Sequence, residues 1–296
     1  MELTSNQHSR TTNKRKRASR SQRQKRWRTI MIVTVTIVAT LIMMIPIYWM
    51  VNAAIRPIRE VLTVPPKFIP ETVTFDYIKA VLESPRNQQH FRNSFIITIS
   101  ALSLTLFFST LAAYGFSRFK IPGGRAILLG MLALLMIPRV SLIIPFFKLA
   151  NLTKLYDTRL ILVFTNTTFA LPMSTWLLKG YIDSISQELE EAAMIDGCNR
   201  ITAIRKILLP IIFPGLVGVG TMVVINSWND YLLSFILTQT LKAQPITIAL
   251  AKFFGEYNRN WNGIMSLALI SSLPIMLLYI FFQKYVIQGL TSGAVK

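Results

Sequence analysis

Six apolar windows, each of about 20 residues or more, are separated by polar and charged stretches. They cover residues 29–51, 94–116, 126–150, 158–178, 207–229 and 264–286. At 1.5 Å per residue a helix of about 20 residues crosses a hydrocarbon core of about 30 Å, so each window predicts a membrane-spanning helix. The third is interrupted by "MIPRV", which sets Pro138 and Arg139 inside it. It also holds Pro145, and other spans hold Pro46, Pro172, Pro214 and Pro274. In a bundle, neighbouring helices can satisfy the carbonyls that proline frees. The pattern predicts an all-α integral membrane fold of six transmembrane helices.

The intervening stretches differ in kind. Residues 52–93 are long and contain "VPPKFIP", an extended and rigid run. Residues 151–157 form a short connector, and 230–263 carry "LKAQPIT" and then polar and aromatic residues up to Trp261. Residues 1–28 form a separate basic tail ahead of the membrane domain, 29–296: "RTTNKRKRASRSQRQKRWR" has ten of the 32 basic residues and no acid. If the tail is cytoplasmic, the inner segments hold 19 Lys and Arg and the rest of the chain 13. The positive-inside rule therefore places both termini and residues 180–206 in the cytoplasm of a multi-pass membrane protein. A basic block can bind nucleic acid. This one abuts a span, so it reads instead as a solvated tail that can touch anionic lipid. The following apolar run is too long for a cleaved signal.

Composition agrees. Charged residues are 15% of the chain against about 25% in soluble domains, and apolar residues are 52%. Cys198 is the only cysteine, and His8 and His90 are the only histidines. That inventory disfavours a metal cluster, a Ser-His-Asp triad and a membrane-embedded enzyme. Nearly acid-free spans also disfavour an ion-coupled secondary transporter, which needs ionisable groups near the midplane.

One charged passage stands between two spans: "DSISQELEEAAMIDGCNRITAIRKILLP". It predicts a short helix, a turn at Gly197 and a second helical stretch leading into the fifth span, an elbow over about 184–206. Ser184 with Gln187 fits a capping box, and Ser186 is the other candidate cap. Glu188, Glu190 and Glu191 fall at the positive end of the helix dipole. Leu189, Ala192 and Ala193 give a narrow face of mostly small residues.

The spacing Glu-Ala-Ala, three residues, Gly, nine residues, Ile-x-Leu-Pro resembles the cytoplasmic signature of permease subunits of binding-protein-dependent ABC importers. Glu191, Ala192, Ala193, Gly197, Ile207, Leu209 and Pro210 fill every position. "AAYGFSRFKIPGGR", "LPMSTWLLKGYIDSISQELEEAAMIDG", "NSWNDYLL" and "FFQKYVIQGLTSGAVK" are similar to the carbohydrate-uptake branch, including the smaller maltose-type permease subunit. The likeness runs from residue 29 to the end. Ser186 stands where proline is common, Cys198-Asn199 replaces a small pair, and the basic tail is longer than the family's.

This resemblance implies a type I importer permease in a bacterial or archaeal cytoplasmic membrane. It implies a heterodimer with a second permease, two copies of an ABC ATPase, and an extracellular substrate-binding protein. ATP and Mg would sit on the ATPases, because no Gly-Lys dipeptide, and hence no G-x-x-x-x-G-K-[ST] loop, occurs here. The elbow would be the coupling helix, with Glu190, Glu191, Ala192, Ala193, Asp196 and Gly197 meeting the ATPase. Leu241, Lys242, Ala243, Gln244 and Pro245 would reach the binding protein, and the end of the tail, "GLTSGAVK", would lie against the ATPases. Trp228, Asn229 and Asp230 are the candidates for the substrate path. The implied cargo is a carbohydrate, with a glycerol-phosphate or another polyol as the alternative.

Overall fold

The computed structural model describes residues 3–256 and 260–292, with side chains over 25–253 and 260–285. Most of the basic tail's side chains and those of the closing "GLTSGAVK" therefore lie outside the described residues. No strand occurs among those described.

The chain divides into two compact units, Met1–Ala53 and Ala54–Lys296. The first is nearly all one helix, α1 (Leu3–Ala54). The expected division after residue 28 falls inside it, because no Gly or Pro occurs before Pro46 to interrupt the rod. In its apolar half the hydroxyls of Thr36 and Thr40 donate to the carbonyls of Ile32 and Thr36, which removes orphan donors from a lipid-facing surface.

The second unit holds α2 (Ile58–Val61), α3 (Asp76–Glu83), α4 (Pro85–Arg118), α5 (Gly124–Ala133), α6 (Ile143–Leu152), α7 (Arg159–Asp183), α8 (Glu188–Ile195), α9 (Arg200–Ala203), α10 (Leu209–Trp228), α11 (Leu232–Leu237), α12 (Ile246–Glu256) and α13 (Trp261–Ser292). Helix α4 starts nine residues ahead of the apolar window at Pro85, whose missing N–H costs nothing at a helix start. The most extensive pairing is α4 on α7, and α10 packs on α4, α7 and α13. Half of the apolar window of α10 and 44% of that of α7 is buried, against 22% for α13, so α7 and α10 are the central helices. Close approach needs glycine here: a Cβ on Gly215 of α10 would meet ring carbons of Tyr181 at 2.7–2.9 Å.

Three apolar clusters follow one another through the unit. Tyr114, Leu178, Ile182, Leu208 and Ile212 form one at the elbow end. Ile97, Leu162, Leu233 and Leu237 form the second, and Val81, Trp228, Ile246 and Leu267 the third.

Among the described residues, five helices are long and apolar enough to cross a membrane. The third expected span is not straight. Its halves, Gly124–Met136 and Arg139–Leu152, meet at 95°. Pro138 forces Ile137 into extended backbone (ψ 121°), and 3₁₀ turns flank the break on both sides. Residues 230–263 are not an open loop either. They contain α11 and α12, and Leu233, Leu237, Ile246 and Ile248 are fully buried.

Candidate functional site

The elbow begins where α7 ends. Ser184 closes α7 by donating to the Tyr181 carbonyl, while the Ser186 hydroxyl accepts the Glu188 N–H at 3.3 Å. Ser186, not Ser184, thus caps α8. The end of α8 is a Schellman turn: Gly197 N–H donates to the Met194 carbonyl and Cys198 N–H to that of Ala193, with Gly197 at φ 89°. Asn199 then caps α9, its Oδ1 accepting from the Thr202 N–H and hydroxyl, both at 2.8 Å. A π turn over Ile204–Leu208 carries α9 into α10. It sits where Pro210 can neither donate to the carbonyl of Lys206 nor pack closely against it.

The acids of α8 point in two directions. Glu190 is buried: Arg118 Nε donates to its Oε1 at 2.7 Å and the Tyr114 hydroxyl to its Oε2 at 3.0 Å. Both side chains of the ion pair are under a tenth exposed. Arg118 also donates to the Ile185 carbonyl and the Ser117 hydroxyl, and Ser117 donates to Asp183 at 2.7 Å. Of the six residues expected to meet the ATPase, Glu190 and Ala193 therefore face the bundle and are covered within the chain. Their work is to hold the elbow against the end of α4. Leu189, Glu191, Ala192, Asp196 and Gly197 are exposed, and Ile195 is 86% exposed. The outward face is acidic with exposed apolar side chains, Ile195 the most projecting of them.

At the opposite end, residues 238–246 are held by polar side chains from distant elements. Asn93 donates to the carbonyls of Leu241 and Gln244, and Arg159 to Asn93 Oδ1 and the Lys242 carbonyl. His90 Nδ1–H donates to the Gln244 carbonyl at 2.9 Å, and Ile246 N–H to Ser94. Asp157 accepts from the N–H groups of Gln239 and Thr240 and from the Thr240 hydroxyl. Partial burial pushes the Asp157 carboxyl up. The bonds from the Thr240 hydroxyl and the two N–H groups outweigh it, so the pKa lies below the usual value. Of the five residues expected to reach a binding protein, Ala243, Gln244 and Pro245 are buried by this clamp, leaving Leu241 and Lys242 outward.

Of the three candidates for the substrate path, Trp228 and Asn229 share a groove and Asp230 lies apart from it. Trp228 is buried, donating to the Ser271 carbonyl at 3.1 Å and meeting Phe95 edge to face. Asp230 is buried and accepts from Ser234. Asn229 lines a groove of about 340 Å³ with Thr247, Leu250, Ser272 and Met276. A second cleft, about 60 Å³, is lined by Arg139, Asn166, Phe169, Met173, Asn226 and Ser227 among others. The reading of the sequence did not place these residues; the only signal for them was Arg139 within an apolar window.

The profile of the family described as "Binding-protein-dependent transport system inner membrane component" matches residues 34–292. The chain belongs to this family. Among its relatives, the trehalose transport system permease protein SugB of Mycobacterium tuberculosis (strain CDC 1551 / Oshkosh) is 32% identical over 86% of this chain and 92% of its own. The trehalose/maltose transport system permease protein MalG of Thermococcus litoralis is 30% identical, over 90% of this chain and 96% of its own. The fold is also that of a crystal structure of a bacterial ABC transporter involved in the import of the acidic polysaccharide alginate. The TM-score is 0.78 at 24% identity, covering 89% of this chain and 98% of that one. This member is thus a multi-pass permease of the type I fold; with the bent pair of α5 and α6 counted as one broken span, the described residues hold six.

Proposed function

We propose that this chain is one of two membrane-spanning halves of an ATP-driven importer that passes a carbohydrate across the cytoplasmic membrane. An extracellular binding protein delivers the sugar to the end bearing Leu241 and Lys242. Two ABC ATPases, which hold the ATP and Mg, seat the elbow at the other end, with both chain termini on their side. The observation that carries this reading is the elbow. An eight-residue helix presents Glu191, Ala192, Ile195 and Asp196 outward and is fixed from behind by the Arg118–Glu190 pair. An exposed acid beside an alanine and a projecting isoleucine suits a cleft with basic groups and an apolar floor.

Closure of the ATPases would carry the elbow with it and rock the two halves between inward- and outward-facing states. Family membership and the names of the sugar-transport relatives support the choice of cargo. The test is to solubilise membranes gently, recover a tagged chain and identify its companions by mass spectrometry. An ATPase with a G-x-x-x-x-G-K-[ST] loop together with a second permease supports the assignment. Recovery of the chain alone, or only with copies of itself, overturns it.

A further inference from the structure

The 60 Å³ cleft contains a polar feature that the elbow and the outer clamp leave unused. Arg139 follows Pro138 at the break of the bent span, and its guanidinium carbon lies 4.9 Å from the centroid of the Phe169 ring. Phe169 is the eleventh of the 25 residues of α7, so this cation sits near mid-span. Among the described residues no carboxylate is within ion-pair distance of it. Asp230 feels its charge but is buried and hydrogen-bonded to Ser234. Asn166 and Asn226 line the same cleft, and the amide of each is tied to its own helix, Asn166 to the Leu162 carbonyl and Asn226 to that of Met222.

A guanidinium facing hydrocarbon without a counter-ion is costly, so charged groups at membrane depth line water-filled paths and pair with what moves along them. At about 60 Å³ the cleft holds water but not a sugar ring, and it is open on one side, as half a path would be. We infer that Arg139 and Phe169 form this chain's half of the substrate path, and that Arg139 selects saccharides or polyols carrying an anionic group: a carboxylate, sulfonate or phosphate. Phe169 supplies a face for the sugar ring, the two asparagines supply amide oxygens for hydroxyls, and the arginine holds the anion. A neutral sugar could use the aromatic face and the amides but would leave the cation with only the buried Asp230 carboxyl, outside ion-pair distance, to offset it. The inference rests on the importer reading and narrows its cargo.

The test uses the assembled transporter in its membrane and needs no knowledge of the natural substrate. With Cys198→Ser as background, Asn166→Cys puts a single thiol in the cleft. Its reaction with a small anionic and a small cationic water-soluble methanethiosulfonate is then compared, with Arg139 present and in Arg139→Gln. Taking a separation of about 7 Å as typical of two side chains lining one cleft, a unit charge in a watery medium changes each rate about threefold in opposite senses. The anionic-to-cationic ratio should therefore fall about tenfold in Arg139→Gln, and D-glucuronate should protect the thiol where D-glucose does not. A thiol that reacts with neither reagent means the cleft is not a hydrated path, and overturns the inference. A ratio indifferent to Arg139, or equal protection by glucose, removes anion selection. Neither result touches the importer reading, which stands or falls on recovery of the ATPase.

Discussion

The Arg118–Glu190 pair gives the sharpest test of how the elbow is held. Glu190→Ala leaves the Arg118 guanidinium, under a tenth exposed, without its counter-ion and leaves the Tyr114 hydroxyl without its acceptor. Breaking a buried pair by removing one partner costs about 3–5 kcal/mol. Coulomb attraction at 4 Å and an effective dielectric of 20 gives about 4 kcal/mol, the same size. The Ile185–Arg118 and Ser117–Asp183 bonds and packing on α9 and the π turn also hold the elbow, and against that background a loss of this size shifts it toward the undocked state by about a thousandfold. Cys198, the only thiol in the chain and half-buried beside the Gly197 turn, reports on this without an added label. In membranes, its alkylation and the amide exchange of residues 190–198 should speed up by more than tenfold in Glu190→Ala, while the amides of α7 and α10 stay protected. Glu191→Ala, an exposed acid on the same helix, should change neither. Equal behaviour of the two variants would refute the claim that Glu190 is the anchor.

Three further outcomes follow from the geometry. Gly197→Ala meets no atom within 4 Å of its new Cβ but must adopt φ near 89°; it should cost about 1 kcal/mol, seen as faster exchange at Cys198, with Gly197→Asn milder. Gly215→Ala should cost about 1–3 kcal/mol by driving a methyl into the Tyr181 ring, read as a lower Tm of the solubilised complex and partly restored by Tyr181→Leu. The Asp157 carboxyl has its pKa lowered in the fold, so the clamp it makes is fully present above the unfolded carboxylate range and is lost only as pH falls through the lower folded value. Proteolysis near Leu241 should therefore be flat from pH 7 to 5 and rise below about pH 4, and Asp157→Asn should show the acid-range susceptibility at pH 7.

What the sequence revealed and what it hid divide along physical lines. Long apolar windows announce spans because lipid demands them, and Gly197 announces a turn because only glycine sits easily at positive φ. Pro138 warned of trouble in the third span, but the 95° angle depends on what α5 and α6 pack against, which no local pattern holds. The partner of Glu190 was out of reach for a related reason. Glu188, Glu190 and Glu191 look alike in a row, and the arginine that chooses among them lies 72 residues away. Leu241–Pro245 read as an exposed loop because its own residues are polar and turn-forming, whereas its burial is decided by Asn93, His90, Asp157 and Arg159. Asn199 was the exception: Asn-x-x-Thr before a helix is a local cap signature, and it was read only as a departure from a family pattern.

The attachments of the elbow limit what it can do when pushed. Residues 184–187 tie it to α7, α9 continues through the π turn into α10, and Arg118 pins α8 to α4. Those three helices are the ones that meet in the cluster of Tyr114, Leu178, Ile182, Leu208 and Ile212 directly behind it. Packed cores have low compressibility, so a displacement of the outward face of α8 is not absorbed in that cluster. It is passed on to α4, α7 and α10 together. A hinge has to lie elsewhere, and the break at Pro138 is where backbone hydrogen bonding is already interrupted. Motion at that break would swing Arg139 relative to Phe169, so rocking of the three-helix unit and reshaping of the 60 Å³ cleft would be one movement.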